Sequence, residues 1–234
     1  MPVQASITPF SGTRVAIVTG GAQGIGKAMA LRLASDGFDI CVDDLASSAG
    51  LLDDVVSEIQ QLGRKAMALS YDVTKENEVK KLVEETVAEL GSLDLMVANA
   101  GIIRQQSIME VLSANIGEWE SVWAVNIRGV VLCYKYAAIQ MSKQSSGGRI
   151  LGASSVGGLQ GFAGYGAYCA SKAAVRSLTQ TASLELSKYG ISVNAYAPGI
   201  IESPMIGQPE QVANLVSYLA SPESYFITGQ TISF

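Results

Sequence analysis

Two kinds of segment alternate along the chain. Short runs that are apolar at most positions, "RVAIVTG" (14–20), "DICVDD" (39–44), "RKAMALSYDV" (64–73), "LDLMVANAG" (93–101), "GRILGASS" (148–155) and "ISVNAYAPG" (191–199), are separated by longer stretches with apolar residues at helical spacing. The helical pattern follows the first run over 26–38 and is clearest at 75–90, around 118–143 and at 167–188. Strands that are apolar on both faces need cover on both faces, and strands joined through helices lie parallel. The pattern therefore predicts an α/β fold: six strands in a single doubly wound parallel sheet, with helices on both faces. Gly, Asn or Pro sits where several runs end, at the edge where open sheets of this kind bind ligands. No repeat, linker or low-complexity tract intervenes, so one domain is expected over residues 1–234.

Composition narrows the chemistry. A chain that is 48% hydrophobic and 16% charged can fill a core and is not a disordered one. Its net charge is −5 and it has no basic run, which argues against nucleic acid or an anionic membrane as partner. The start, "MPVQASITPFSGTR", has no basic segment leading into an apolar one, so no signal peptide is expected. No uncharged apolar stretch of about 18 residues suggests a membrane span. Cys41, Cys133 and Cys169 are far apart and odd in number. They fit neither a disulfide framework nor a zinc ligand set, and point to reduced thiols in the cytoplasm and no metal. Histidine is absent, which removes Ser-His-Asp and Cys-His catalysis and most zinc chemistry. A proton moved by this chain must travel through Tyr, Lys or a carboxylate.

Two stretches carry candidate chemistry. In "VTGGAQGIG", Gly20, Gly24 and Gly26 fall directly after the first strand and at the mouth of a helix. Positions without side chains let backbone N–H groups and a helix N-terminus approach a pyrophosphate. The second stretch is "YGAYCASK", with Tyr168 four residues before Lys172, although "YDVTK" sets Tyr71 and Lys75 at the same spacing. Tyr71 is expected to close the third strand and Thr74 to cap the next helix, with Glu76 and Glu78 near its positive end. A stretch changing from strand to helix does not stack residues four apart. Tyr168 lies in an unbroken helical pattern, where i and i+4 share a face. There a lysine ammonium can favour the phenolate of a group that titrates near pH ~10 on its own.

"TGGAQGIG", "ANAG" (98–101), Ser155, Tyr168-x-x-x-Lys172 and "APGIIESP" (197–204) stand in the order and spacing of the short-chain dehydrogenase/reductase family, which the chain resembles from about residue 12 to its end. The resemblance implies a Rossmann fold and a secondary alcohol–ketone oxidoreductase. It assigns Tyr168 as general acid/base, Lys172 as the residue that lowers its pKa and holds the nicotinamide ribose, and Ser155 as the group orienting the substrate oxygen. Asn126 would hold a water that completes a proton relay. For the cofactor it implies Gly20, Gln23, Gly24, Ile25 and Gly26 at the phosphates and Asp44 with Leu45 at the adenosine ribose. Asp72 and Val73 fall at adenine, Asn99, Ala100 and Gly101 beside the sheet centre, and Pro198, Gly199, Ile201 and Ser203 at the carboxamide. The strand-end acid Asp44, with Gln23 and Leu45 where NADP-preferring relatives carry basic residues, favours NAD.

Within the family the wording is most like that of acetoin/diacetyl reductases. A 3-oxoacyl, sugar or steroid substrate is the alternative within this chemistry. The candidate pocket residues are Ile102, Ile103, Val156, Gly157, Phe162, Tyr165, Ile200 and Met205. A homotetramer or homodimer through the helices at about 105–143 and 165–188 is implied. The chain departs from the pattern twice: a helical lid is missing between Met205 and Gly207, and "TGQTISF" falls short of the usual Asp-Gly-Gly tail. A chain truly without the lid would leave a non-catalytic dinucleotide sensor as the other reading.

Overall fold

The computed structural model describes residues 12–107, 116–199 and 208–234. Seven strands form one sheet within them: β1 (Arg14–Thr19), β2 (Phe38–Asp43), β3 (Ala66–Leu69), β4 (Leu95–Ala98), β5 (Gly148–Ala153), β6 (Ile191–Ala197) and β7 (Thr231–Ser233). All pair in parallel, in the order β3-β2-β1-β4-β5-β6-β7. The longer helices are α1 (Gly24–Ser35), α2 (Ala49–Gln61), α3 (Glu76–Leu90), α4 (Ile116–Trp123), α5 (Val130–Met141), α6 (Gly166–Leu186) and α7 (Pro209–Ala220). This is the doubly wound arrangement expected from the sequence.

The period-two alternation of each strand divides its side chains between two cores. Ala16 and Val18 of β1 face Met29 and Leu33 of α1 and Val212 and Val216 of α7. Ile17, between them, faces Val79 and Leu82 of α3 and Ala137 and Met141 of α5. Each helical layer buries apolar residues against one face of the sheet, and the two layers together cover both faces.

The six apolar runs all become strands; five are shorter than the run at one or both ends, and β2 is shifted by one residue. The seventh strand was not expected: "TIS" carries no apolar run, and pairing of Thr231 with Ala195 of β6 creates it. The third run ends at Leu69, so Tyr71 lies beyond β3 rather than closing it. Lys75, not Thr74, occupies the cap position of α3, without a side-chain cap bond. The reason is a local competitor, since Asp72 accepts from the Thr74 N–H at 2.9 Å while Glu78 accepts from the Asp72 N–H at 2.7 Å. The stretch expected around 118–143 is α4 and α5 joined by a π-helical turn, Ala124–Gly129. By length and apolarity 116–141 could cross a membrane, but Leu132, Cys133, Ala137 and Met141 belong to the core beneath the sheet.

Strand order reverses between β1 and β4, and the crevice outside their C-terminal ends is the ligand position of such sheets. The site is built there.

Candidate active site

The turn after β1 is made by positions that exclude side chains. Gly20 and Gly24 adopt φ of +64° and +55°, a region that L side chains rarely enter. At Gly26 the restriction is steric. A Cβ there would lie 1.9 Å from the Gly20 carbonyl oxygen and 2.9 Å from Asn99 Nδ2. α1 therefore starts close against β1 and aims its free N–H groups into the cleft. Gln23 is the exposed cap residue of α1, without a side-chain cap bond.

Beside this turn β2 ends in two acids of opposite fate. Asp44 is half-buried on the cleft, its carboxylate accepting from the N–H groups of Ala22 (3.3 Å) and Leu45 (2.8 Å). This holds it over the glycine turn. Asp43 is fully buried. One of its oxygens accepts from the Tyr71 N–H at 3.0 Å and the other has no hydrogen-bond partner. Burial pushes its pKa well above the ordinary carboxylate range, against that backbone hydrogen bond and with the charges of Asp44, Glu78 and Asp72 adding to the rise. The folded chain thus keeps a proton on Asp43 that the unfolded chain has released near pH ~4, so stability falls as pH rises through that interval. Asp43→Asn supplies a neutral group of the same shape. It should leave the ligand-free protein at least as stable at pH 5 and more stable at pH 8. Thermal melts across that range check this, and a variant less stable at pH 8 would count against a neutral Asp43.

At the sheet centre, Asn99 joins three strands. Its Nδ2 donates to the carbonyls of Thr19 (2.9 Å) and Gly20 (3.2 Å), and its Oδ1 accepts from the Tyr196 hydroxyl at 3.0 Å. Thr19 Oγ1 in turn accepts from the N–H groups of Asn99 and Ala100, both at 3.1 Å. The sequence reading missed Thr19 and Tyr196. Only their strand-end positions distinguish them from other buried polar residues. Arg104, exposed on the wall of the cleft, was also missed.

The four candidate catalytic residues converge from three elements. Tyr168 and Lys172 stand one turn apart on α6, with the lysine Nζ 5.5 Å from the phenol ring centroid. Ser155 follows β5 and caps a short 3₁₀ turn, its Oγ accepting from the Gly157 N–H at 3.1 Å. Its hydroxyl lies near enough to Tyr168 to favour the phenolate. Ser154 instead donates to the Lys172 carbonyl at 2.9 Å, which occupies its hydroxyl proton. Asn126 sits fully buried in the π-helical turn, a deviation frequent at functional sites. Its amide donates to the Ile102 carbonyl and accepts from the Ile102 N–H, both at 2.8 Å, and donates to Ser171 Oγ at 3.0 Å. The segment after "ANAG" is thereby tied to α6. Nζ of Lys172 and Oδ1 of Asn126 face the same space beside Gly101, where a Cβ would lie 3.3 and 3.4 Å from them.

In the chain by itself burial raises the Tyr168 pKa, outweighing the nearby Ser155 hydroxyl that favours the phenolate; the expected lowering joins Lys172 to the positive ring of an oxidised nicotinamide. Burial also pushes the Lys172 ammonium down to about 8, and its Nζ donates to the Ala153 carbonyl at 2.8 Å. By contrast Tyr71 places its hydroxyl on Glu85 at the surface, 2.9 Å away, and Lys75 starts a different helix. The second tyrosine–lysine pair is not a pair in space.

Two cavities meet at Ile25, Ile103, Tyr168 and Pro198. The larger, about 980 Å³, is the cleft lined by Gly20, Gln23, Gly24, Ile25, Gly26, Asp44, Leu45, Asp72, Val73, Asn99, Ala100, Gly101, Lys172 and Pro198. The smaller, about 420 Å³, is walled by Ser155, Val156, Gly157, Phe162, Tyr165 and Gly199. Ile200, Ile201, Ser203, Met205 and Gly207 lie outside the described residues. A crevice at the switch point, floored by a glycine turn and a helix N-terminus and edged by a held carboxylate, fits a dinucleotide. A phenol, a lysine and a serine stand at its far end, groups chemically able to exchange a proton with a carbonyl or alcohol oxygen.

Comparison with known proteins agrees. The family model of the short chain dehydrogenases matches residues 14–212, and the chain belongs to the short-chain dehydrogenase/reductase family. It is 44% identical to the short-chain dehydrogenase/reductase eriH of Hericium erinaceus, covering 95% of this chain and 96% of that protein. It is 37% identical to a diacetyl reductase [(S)-acetoin forming] of Staphylococcus epidermidis, covering 94% and 96%. The crystal structure of an NAD⁺-bound xylitol dehydrogenase superposes with a TM-score of 0.88 at 28% identity, covering 94% of this chain and 97% of that one. The protein is an oxidoreductase that uses a nicotinamide dinucleotide. The alignment with eriH runs over 246 residues, longer than this 234-residue chain, so that relative carries residues with no counterpart here.

Proposed function

We propose that the protein interconverts a secondary alcohol and a ketone with NAD(H), with Tyr168 as the general acid/base. The observation that carries this reading is the convergence of Tyr168, Ser155 and Lys172 where the dinucleotide cleft meets the apolar chamber. In reduction the Tyr168 hydroxyl gives its proton to the carbonyl oxygen; in oxidation the phenolate takes it back. Ser155, whose Oγ is fixed by the Gly157 N–H, directs its own proton at the same oxygen and stabilises developing negative charge. Lys172 holds the nicotinamide ribose and supplies positive charge below its pKa of about 8. Asn126, whose Oδ1 faces the same space as Lys172 Nζ beside Gly101, would hold the relay water. When bound, the nicotinamide ring supplies or accepts the hydride.

The cofactor is NAD rather than NADP, because the Asp44 carboxylate held over the glycine turn repels a 2′-phosphate and accepts from ribose hydroxyls. The whole-sequence likeness to diacetyl reductase nominates a small acetoin/diacetyl-type carbonyl as the first substrate to assay. The free cysteines, two of them buried, favour the cytoplasm. Exposed apolar residues on α5 and α6, Val131, Ile139 and Leu184, favour assembly of two or four copies, read by sedimentation. Oxidation of NADH with diacetyl, run beside NADPH, tests the proposal. Turnover with NADH at least tenfold faster is expected, and Asp44→Ser should narrow that ratio. Equal use of both cofactors by the parent protein would remove Asp44 as the selector.

A further inference from the structure

The chamber beside Tyr168 is larger and more apolar than a four-carbon diketone requires. At roughly 30 Å³ for each water-sized group, the six heavy atoms of diacetyl fill less than half of its volume, which is about 420 Å³. Its walls are Ile103, Val156, Phe162, Tyr165 and Pro198, with Gly157 as floor. Among the described residues no Asp, Glu, Lys or Arg lines it. The polar groups of the reaction, Ser155 and Tyr168, stand together where the chamber opens to the cleft.

The walls are also held in place. Tyr165 donates its N–H to the Phe162 carbonyl at 3.1 Å. Gly164, at φ +82°, has the third-position geometry of a type II turn. Phe162 and Tyr165 therefore flank a fixed turn rather than a free loop. Across the chamber, Gln106 donates its N–H to the Gly164 carbonyl at 2.6 Å and pairs in parallel with Tyr165. The same segment is anchored at Ile102 by the buried Asn126 amide. Ile103 rides between these two anchors, so the walls do not fold in upon a small ligand. The floor is level for a related reason: a Cβ on Gly157 would come within 3.3 Å of the Tyr168 ring.

We infer that the substrate is a bulky, uncharged ketone or secondary alcohol with a hydrocarbon body of one or two rings, whose reacting oxygen is its principal polar contact. The inference rests on the oxidoreductase reading of the site. Each methylene moved from water onto these walls is worth roughly fourfold in kcat/KM at full burial. Each carboxylate carried past the reacting oxygen meets no cation among the described walls, and a hydroxyl there meets at most the Tyr165 phenol; a polar group left without a partner costs roughly tenfold or more. A polyol or an acidic ketone is therefore disfavoured by the same walls that favour a ring.

The test is kcat/KM with NADH for diacetyl, cyclohexanone, 2-decalone and D-xylulose, with NADH affinity measured by fluorescence titration. The expected order is decalone over diacetyl by at least tenfold, cyclohexanone between them and xylulose last. Phe162→Ala and, at the exposed opposite wall, Ile103→Ala should each lower the decalone-to-diacetyl ratio several-fold. Diacetyl or xylulose matching or exceeding decalone overturns this inference and leaves the oxidoreductase reading standing. Turnover of none of the four overturns both.

Discussion

Tyr168→Phe should lower kcat by about a thousandfold, within the range that positioned acid–base groups contribute, while NADH affinity stays within about threefold. The hydroxyl is the only atom removed, and the ring continues to pack over the Gly157 floor. Loss of proton transfer should therefore appear almost wholly in kcat. The parent enzyme should also show opposite pH trends in its two directions. Burial raises the Tyr168 pKa, so the protonated acid needed for reduction persists to high pH, and oxidation, which needs the phenolate, gains rate as pH rises. Tyr71→Phe is the control, since its hydroxyl only meets Glu85 at the surface. Comparable losses at Tyr71 and Tyr168 would remove Tyr168 from the mechanism.

Gly26→Ala should weaken NADH binding by about a hundredfold or more and lower the melting temperature. The added Cβ would sit 1.9 Å from the Gly20 carbonyl oxygen, and both partners are backbone, so no side chain can turn aside. Either α1 moves away from β1 or the turn opens, and each displaces the N–H groups that face the cleft. Overpacking commonly costs about 1–3 kcal/mol. With two backbones in conflict the upper end applies, which corresponds to a fall of roughly 6–12 °C for a domain of this size. Gly50→Ala tests the same chemical change where nothing lies within 4 Å. It lies in α2, where alanine is favoured by about 0.5–1 kcal/mol, so a slight gain is expected. A Gly26→Ala protein that bound NADH normally would show that the turn is not the cofactor's floor.

Much of this molecule was legible in its sequence because the relevant physics is local. Both-face apolar runs at strand length, each followed by a 3.6-residue pattern, leave a doubly wound sheet as the economical arrangement. The absence of histidine confined proton chemistry to Tyr, Lys and carboxylates. The glycines of the first turn announced themselves by position, and the unbroken helical pattern around Tyr168 separated it from Tyr71. Those conclusions depended on neighbours within about one helical turn.

What tertiary structure decided were the quantities that depend on distant neighbours. β7 exists because β6 offers it an edge. Asp44 was singled out from the sequence, but the burial that raises the pKa of Asp43 is set by the approach of the segment after β3, whose Tyr71 N–H meets its carboxyl. The i,i+4 spacing reports the proximity of Tyr168 to Lys172 but not burial, which raises the Tyr168 pKa in the chain by itself. Ile103, Val156 and Phe162 were candidates from the sequence, but the volume of the chamber they enclose with Pro198, about 420 Å³, follows only from the packing. Proximity along a helix can be read from spacing; desolvation and cavity shape are properties of the assembled interior, and they set the chemistry here.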